Sequence, residues 1–274
     1  ATNGIGKAAA IKFAESAKSI AFTYRNEELA EDLKNEMQKI NPNLSINSFF
    51  CDFSVQDSIR ECADKIKNDL KAIDLLINNA GVVNTEYSET IDGIENTFAV
   101  NHLGYFLFTN LLLDLVKKES ESRIINVSSA AHHFVKGMQW DDINYKDDFK
   151  MGLKAYGQSK LGNILFTKQL AKKLQKDGVT VNAIHPGGVN TSLGNQNNSL
   201  LGRVLKIILK PFFRSPLKGA NTIIYLAEID GLSITGAYWV DGRVAKTSHY
   251  SKNEAEAEKL WRLSEKLVNQ EFDI

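Results

Sequence analysis

Tyr156 and Lys160, four positions apart in the run Tyr156-Gly157-Gln158-Ser159-Lys160, are the residues of this sequence best placed to move a proton. A spacing of four puts both side chains on one face of a helix. There an ammonium group favours phenolate over phenol and lowers the tyrosine's acidity constant from its usual value of about 10. Such a tyrosine can protonate a carbonyl oxygen as hydride reaches the carbon. Ser129, at the end of an apolar run and beside Ser128, can hold that oxygen. Taken alone, a tyrosine and a lysine four apart also describe an ordinary surface pair, so the reading depends on their surroundings.

A second group of residues suits a dinucleotide. Asn3, Gly4, Ile5 and Gly6 form a glycine turn just before a helical pattern. Glycines there let the backbone approach a pyrophosphate, whose charge is stabilised by free N–H groups at the helix start. A plain tight turn has the same composition. About 20 residues beyond such a turn, a ribose-reading side chain is expected at the end of the next strand. The residue there is Arg25, with no carboxylate beside it. A guanidinium attracts the 2′-phosphate of NADP(H), where a carboxylate would repel it; a solvated arginine at a helix start is the alternative. Asp52 follows another strand and can accept from an adenine amino group, or else cap a helix, a task Ser54 could also fill. Asn79, Ala80 and Gly81 follow a further strand as a compact polar turn against the cofactor.

These residues need a scaffold that gathers strand ends on one edge. Short β-branched or aromatic runs at 19–24, 45–51, 74–78, 123–128, 180–185 and 236–240 read as strands. Helical patterns fall at 7–16, 27–40, 54–70, 97–118, 155–175 and 253–269. This alternation predicts a doubly wound Rossmann-type α/β fold with a mostly parallel sheet. The length of 274 residues and the lack of a Pro/Gly/Ser-rich linker predict one domain over 1–274. Segment 191–219 reads as a substrate lid with turn signals at Pro211 and Pro216. Within it Leu201, Val204, Leu205, Ile208 and Phe212 form an apolar stripe opposite Arg203, Lys206 and Lys210, which suits a lid or peripheral membrane contact.

The set Asn3-Gly4-Ile5-Gly6, Asn78-Asn79-Ala80-Gly81, Asn101, Ser129, Tyr156 with Lys160, and Pro186-Gly187 resembles the short-chain dehydrogenases/reductases. The stretches 100–106, 126–133 and 159–166, with the tail around Trp261, resemble the retinol dehydrogenase branch. The resemblance covers nearly the whole chain. It implies Tyr156 as acid/base, Ser129 rather than Ser128 as the carbonyl-orienting hydroxyl, and Asn101 as anchor of a proton-supplying water chain. It also implies that Lys160 bonds the nicotinamide ribose and that Pro186, Gly187, Val189 and Thr191 flank the nicotinamide. The family carries a first strand and a Thr-Gly pair ahead of this glycine turn. A sheet lacking its first, central strand is therefore expected.

The function implied is hydride transfer between NADP(H) and a small apolar aldehyde or alcohol, with retinal/retinol foremost. Other lipid-derived or steroid-like carbonyls are the alternative substrates, and a non-catalytic cofactor-binding scaffold is the alternative role. Thirty-three basic against 33 acidic residues leave no net field for a polyanion, so no nucleic-acid partner is expected. Cys51 and Cys62 are too few for a zinc cluster or a disulfide scaffold and read as free thiols. His132 and His133 have no evident third ligand, so no metal is expected and a supporting role in a loop is. No run of apolar residues approaches the roughly 18 of a membrane span. A cytoplasmic enzyme, in contact with an intracellular membrane through 201–212, fits these features, and an oligomer is compatible with them.

Overall fold

The computed structural model describes residues 1–119, 121–188 and 214–274. The strands are β1 (Ser19–Tyr24), β2 (Ser45–Phe50), β3 (Leu75–Asn78), β4 (Arg123–Val127), β5 (Thr180–His185), β6 (Tyr238–Val240) and β7 (Arg243–Val244). The helices are α1 (Gly4–Ala14), α2 (Glu27–Ile40), α3 (Gln56–Asp69), α4 (Asn96–Val116), α5 (Leu153–Lys173), α6 (Pro216–Glu228) and α7 (Glu254–Leu267). Strands β3 to β6 pair in parallel in sequence order, and β7, which the sequence pattern does not announce, closes the edge antiparallel to β6.

Helices α1, α2 and α6 pack on one face of the sheet, and α3, α4, α5 and α7 on the other. Side chains alternate between these layers as the pleat requires. Ile124 of β4 joins Phe106, Leu161 and Trp261 in one core, while Ile125 and Val127 join Ile223, Leu226 and Trp239 in the opposite one. A strand buried on both faces reads as an uninterrupted apolar run, which is why β4 and β5 are plain in the sequence.

The sheet is in two pieces. Among the described residues, strand β1 pairs only with β2, and β3 only with β4. Between their facing edges lies a cavity of about 560 Å³, lined by Ile20 and Phe22 of β1, Leu75 and Ile77 of β3, and Phe13 and Phe108 from the two helical layers.

Three departures from the sequence reading have local causes. Helix α6 occupies what reads as the end of a lid: Pro216 takes the first helical position, where its missing N–H costs nothing, and Ser215 caps Lys218 N–H at 3.3 Å. The rest of the predicted lid, including the stripe 201–212, lies outside the described residues. Helix α4 is apolar and, at 21 residues, long enough to cross a membrane, but 89% of its apolar window is buried inside the fold. It also contains a π turn at Ala99–Leu103, one residue wider than an α turn.

Candidate active site

Strands β3, β4 and β5 end at the same edge, at Asn78, Val127 and His185, each running one residue past the partner of the strand before it. The segments that follow them carry Asn79-Ala80-Gly81, Ser128-Ser129 and Pro186-Gly187. The glycine turn meets them there. A Cβ on Gly6 would stand 2.8 Å from Asn79 Nδ2 and 3.3 Å from Ala1 Cα, so a larger residue would have to push the Asn79 amide out of the turn. Gly4 has φ +57°, and its N–H donates to the Asn3 side chain at 2.7 Å. Ile5 begins the first turn of α1 and packs against the core of Ile125 and Val127.

Gly81 is the meeting point of the other elements. A Cβ there would lie 3.2 Å from Asn101 Oδ1 and 3.6 Å from Lys160 Nζ. The π turn of α4 delivers Asn101, which is fully buried. Its Oδ1 accepts from Val82 N–H at 2.8 Å, and its Nδ2 donates to Val82 O and to Ser159 Oγ, each at 3.0 Å. Asn101 thus clamps the Asn79–Gly81 turn to helix α5.

Helix α5 presents Tyr156 and Lys160 on one face, as their spacing requires. Lys160 is 3% exposed; its Nζ donates to Val127 O at 3.1 Å and lies 5.6 Å from the centre of the Tyr156 ring. Burial lowers the Lys160 ammonium to about 7. Tyr156 and Ser129 are half-buried, and their side chains stand near enough for the serine hydroxyl to influence the phenol. The Tyr156 phenol is displaced upward by burial, and the neighbouring Ser129 hydroxyl pulls it back only in part. This corrects the expectation of a lowered tyrosine. Spacing reveals the neighbouring ammonium but not the depth of the site, and desolvation of the phenolate outweighs an ammonium that is itself desolvated.

The two serines have different partners. Ser128 is buried and donates to the Lys160 backbone carbonyl at 2.8 Å, whereas Ser129 Oγ accepts from Ala131 N–H at 3.2 Å and faces Tyr156. Tyr105, one helical turn after Asn101, was not singled out by sequence reasoning. Its buried hydroxyl has no partner among the described residues, and Lys160 Nζ lies 5.7 Å from its ring centre. The turn from Asn101 to Tyr105 was the available signal.

Arg25 and Asp52 follow the adjacent strands β1 and β2 and approach to 3.9 Å, both partly exposed. Asp52 Oδ1 accepts from Ser54 N–H at 2.9 Å and from Ser54 Oγ at 2.7 Å, so it closes a local turn rather than capping α3. Gly187 has φ +82° and supports the Arg214 side chain, which is paired with Asp241; Pro186 precedes it. Val189 and Thr191 lie outside the described residues.

These features fit a nicotinamide dinucleotide. Gly6 and Gly81 leave a cradle that any side chain would fill, and Lys160 and Tyr105 bring buried polar groups to its floor.

Comparison with known proteins identifies the family and the fold. The family described as enoyl-(acyl carrier protein) reductase matches residues 1–242. Human retinol dehydrogenase 13 is 39% identical over 99% of this chain and 83% of its own length. Mouse retinol dehydrogenase 11 is 37% identical over 96% of this chain and 83% of its own. An uncharacterized protein from Mycobacterium paratuberculosis superposes with a TM-score of 0.79 at 28% identity, covering 100% of this chain and 92% of that one. A short-chain dehydrogenase from Burkholderia cenocepacia, solved in complex with NADP, shares the fold with a TM-score of 0.68 at 22% identity, over 87% of this chain and 92% of its own. The protein is therefore an oxidoreductase of the short-chain dehydrogenase/reductase family, in its retinol dehydrogenase-like branch.

Proposed function

We propose that the protein is a single-domain enzyme that moves hydride between NADP(H) and an apolar aldehyde or alcohol, retinal/retinol foremost. The observation that carries this reading is the buried Lys160 ammonium, tied to the Val127 carbonyl and 5.6 Å from the centre of the Tyr156 ring, at the strand edge where the glycine cradle opens. The retinoid assignment is supported by the relatives' names, and NADP(H) by Arg25 at the β1 end. The apolar stripe in the sequence at 201–212, opposite Arg203, Lys206 and Lys210, supports contact of a cytoplasmic enzyme with an intracellular membrane.

The cradle between Gly6 and Gly81, with Lys160 at its floor, would hold a nicotinamide cofactor that would supply or accept the hydride. Ser129 Oγ and Tyr156 Oη hold the substrate oxygen between them, and Tyr156 gives it a proton during reduction or takes one during oxidation. A phenol kept protonated by burial is in the right state to act as acid, which suits the reductive direction. Lys160, tied to the Val127 carbonyl, stays beside the Tyr156 ring and stabilises negative charge on its oxygen once the proton has left. Asn101 holds the Gly81 turn and α5 at a fixed spacing.

Tyr156→Phe tests the assignment. Loss of the acid is expected to lower kcat for retinal reduction by roughly 10²- to 10⁴-fold, with the Kd for NADPH within a few fold of the unmutated protein. Near-normal turnover by the variant would refute the role given to Tyr156.

A further inference from the structure

His132 is wholly buried in the 3₁₀ turn Ala130–Phe134, directly after the substrate-facing serine, and both of its ring nitrogens have partners. Nδ1 lies 2.6 Å from the backbone carbonyl of Ser129 and Nε2 lies 3.2 Å from the backbone N–H of Ser248. A carbonyl can only accept and an amide N–H can only donate. The two contacts are satisfied together by one tautomer: neutral imidazole with its proton on Nδ1. Burial, which lowers the ring to about 4, keeps it in this neutral form.

The same turn holds Ser129 from several sides. The Ser129 carbonyl also accepts His132 N–H at 3.2 Å, and its Oγ accepts Ala131 N–H at 3.2 Å. The turn is pressed onto α5, where a Cβ on Gly157 would come within 2.7 Å of the Ala131 carbonyl. On the far side, Ser248 begins the 3₁₀ turn His249–Lys252 that leads into α7, and its carbonyl accepts from Ser251 Oγ at 2.8 Å. The His132 ring is packed edge-on against Tyr238, 5.1 Å between centres.

We propose that His132 is a positioning residue: by donating from Nδ1 to the Ser129 carbonyl it fixes the orientation of the Ser129 hydroxyl toward Tyr156 and the substrate oxygen. The inference rests on the role given to Ser129 above. Its Nε2 contact anchors the ring to the segment before α7 and serves stability rather than chemistry.

The two nitrogens can be separated by substitution. His132→Asn keeps a donor at the Nδ1 position and loses the reach to Ser248. His132→Gln keeps an acceptor at the Nε2 position and loses the donor to Ser129. Retinal reduction with NADPH is measured for both, with thermal midpoints and NADPH Kd as controls. Expected is a fall in kcat of at least tenfold for His132→Gln but under threefold for His132→Asn, with KM and NADPH Kd little changed in either. Equal loss in both, following the thermal midpoints, or no loss in either, would overturn the proposal. Imidazole ¹⁵N NMR of the unmutated protein gives a reading that does not depend on either variant folding: a proton on Nδ1 is required, and one on Nε2 refutes the geometry. Ser129→Ala separates the levels of inference. If it leaves kcat intact, the reading of Ser129 fails. If it abolishes most activity, adding His132→Gln should lower kcat no further, and an additional tenfold loss would show that His132 acts elsewhere.

Discussion

The two halves of the sheet are held together by different means. Around β1 and β2 the core is apolar, with Ala10, Ala14, Phe22, Ala30, Leu33, Met37 and Leu44 packed together and ion pairs such as Lys7–Glu36 on the surface. Around β3 and β4 a chain of buried amides and hydroxyls crosses the sheet. Asn78 Nδ2 donates to Thr109 Oγ1 of α4 and to Asn126 Oδ1 of β4, both at 2.7 Å, and Asn126 Nδ2 donates to Thr167 Oγ1 of α5 at 2.9 Å. The chain continues through Asn163 to the Val127 carbonyl that receives Lys160. An apolar cluster tolerates small adjustments, whereas a buried polar chain admits one arrangement of its members. The half that must align Tyr156, Lys160 and Ser129 has the second kind of core.

Substitutions can break or sharpen that contrast. The largest expected effect belongs to Lys160→Met. The folded protein holds this ammonium at about 7 against an ordinary value of 10.5, so the unfolded chain binds the extra proton between those limits. Stability should therefore rise with pH from 7 to 10.5, and below pH 7 the buried charge carries its full cost. Methionine should remove a penalty of the order of 5 kcal/mol at neutral pH while eliminating turnover. Chemical denaturation at several pH values measures it, and an unchanged slope between pH 7 and 10.5 would mean that the group is not desolvated.

A matched pair comes next. Leu33→Ala in the apolar half should cost about 2 to 5 kcal/mol of stability and leave kcat per folded molecule unchanged. Asn126→Ala should cost less, about 1 to 3 kcal/mol for the partners left unsatisfied, yet lower kcat by loosening the support under Lys160. Denaturation midpoints and active-site-normalised rates test this together. If Leu33→Ala slows turnover and Asn126→Ala does not, the contrast is wrong. The smallest effect is at the rim. Arg25→Ala should weaken NADPH binding by about 1.5 to 3 kcal/mol with little change for NADH, and equal loss for both cofactors would remove Arg25 from the phosphate site.

Much of this arrangement is legible in the sequence because it rests on chemistry that depends on residue type. Glycines at 4, 6 and 81, a tyrosine and lysine one turn apart, and apolar strands between helices each have few other uses in this order. What the sequence does not show depends on depth and phase. The upward displacement of Tyr156 follows from burial, which spacing cannot measure. Pro216 reads as a breaker because the same residue that ends one helix can begin another. His132 stands beside His133 with nothing in the sequence to say which ring turns inward; only His132 is fully buried, and the two ring centres are 4.0 Å apart.

The π turn in α4 bears on how this helix can change over time. An α-helix advances about 100° per residue, so the extra residue in Ala99–Leu103 sets Glu95 and Asn101 out of phase with Phe106 and Thr109 beyond it. Both sides of that offset are committed. Asn101 grips Val82 and Ser159, while Thr109 meets Asn78 and Phe106 packs on Trp261. Deleting one residue from the turn would give a more regular helix with better backbone hydrogen bonds, and would swing one set of side chains away from its partners. Substitutions in this stretch can be selected one position at a time. A change in its length cannot, because the loss of either set must be answered at once by the strands that face it.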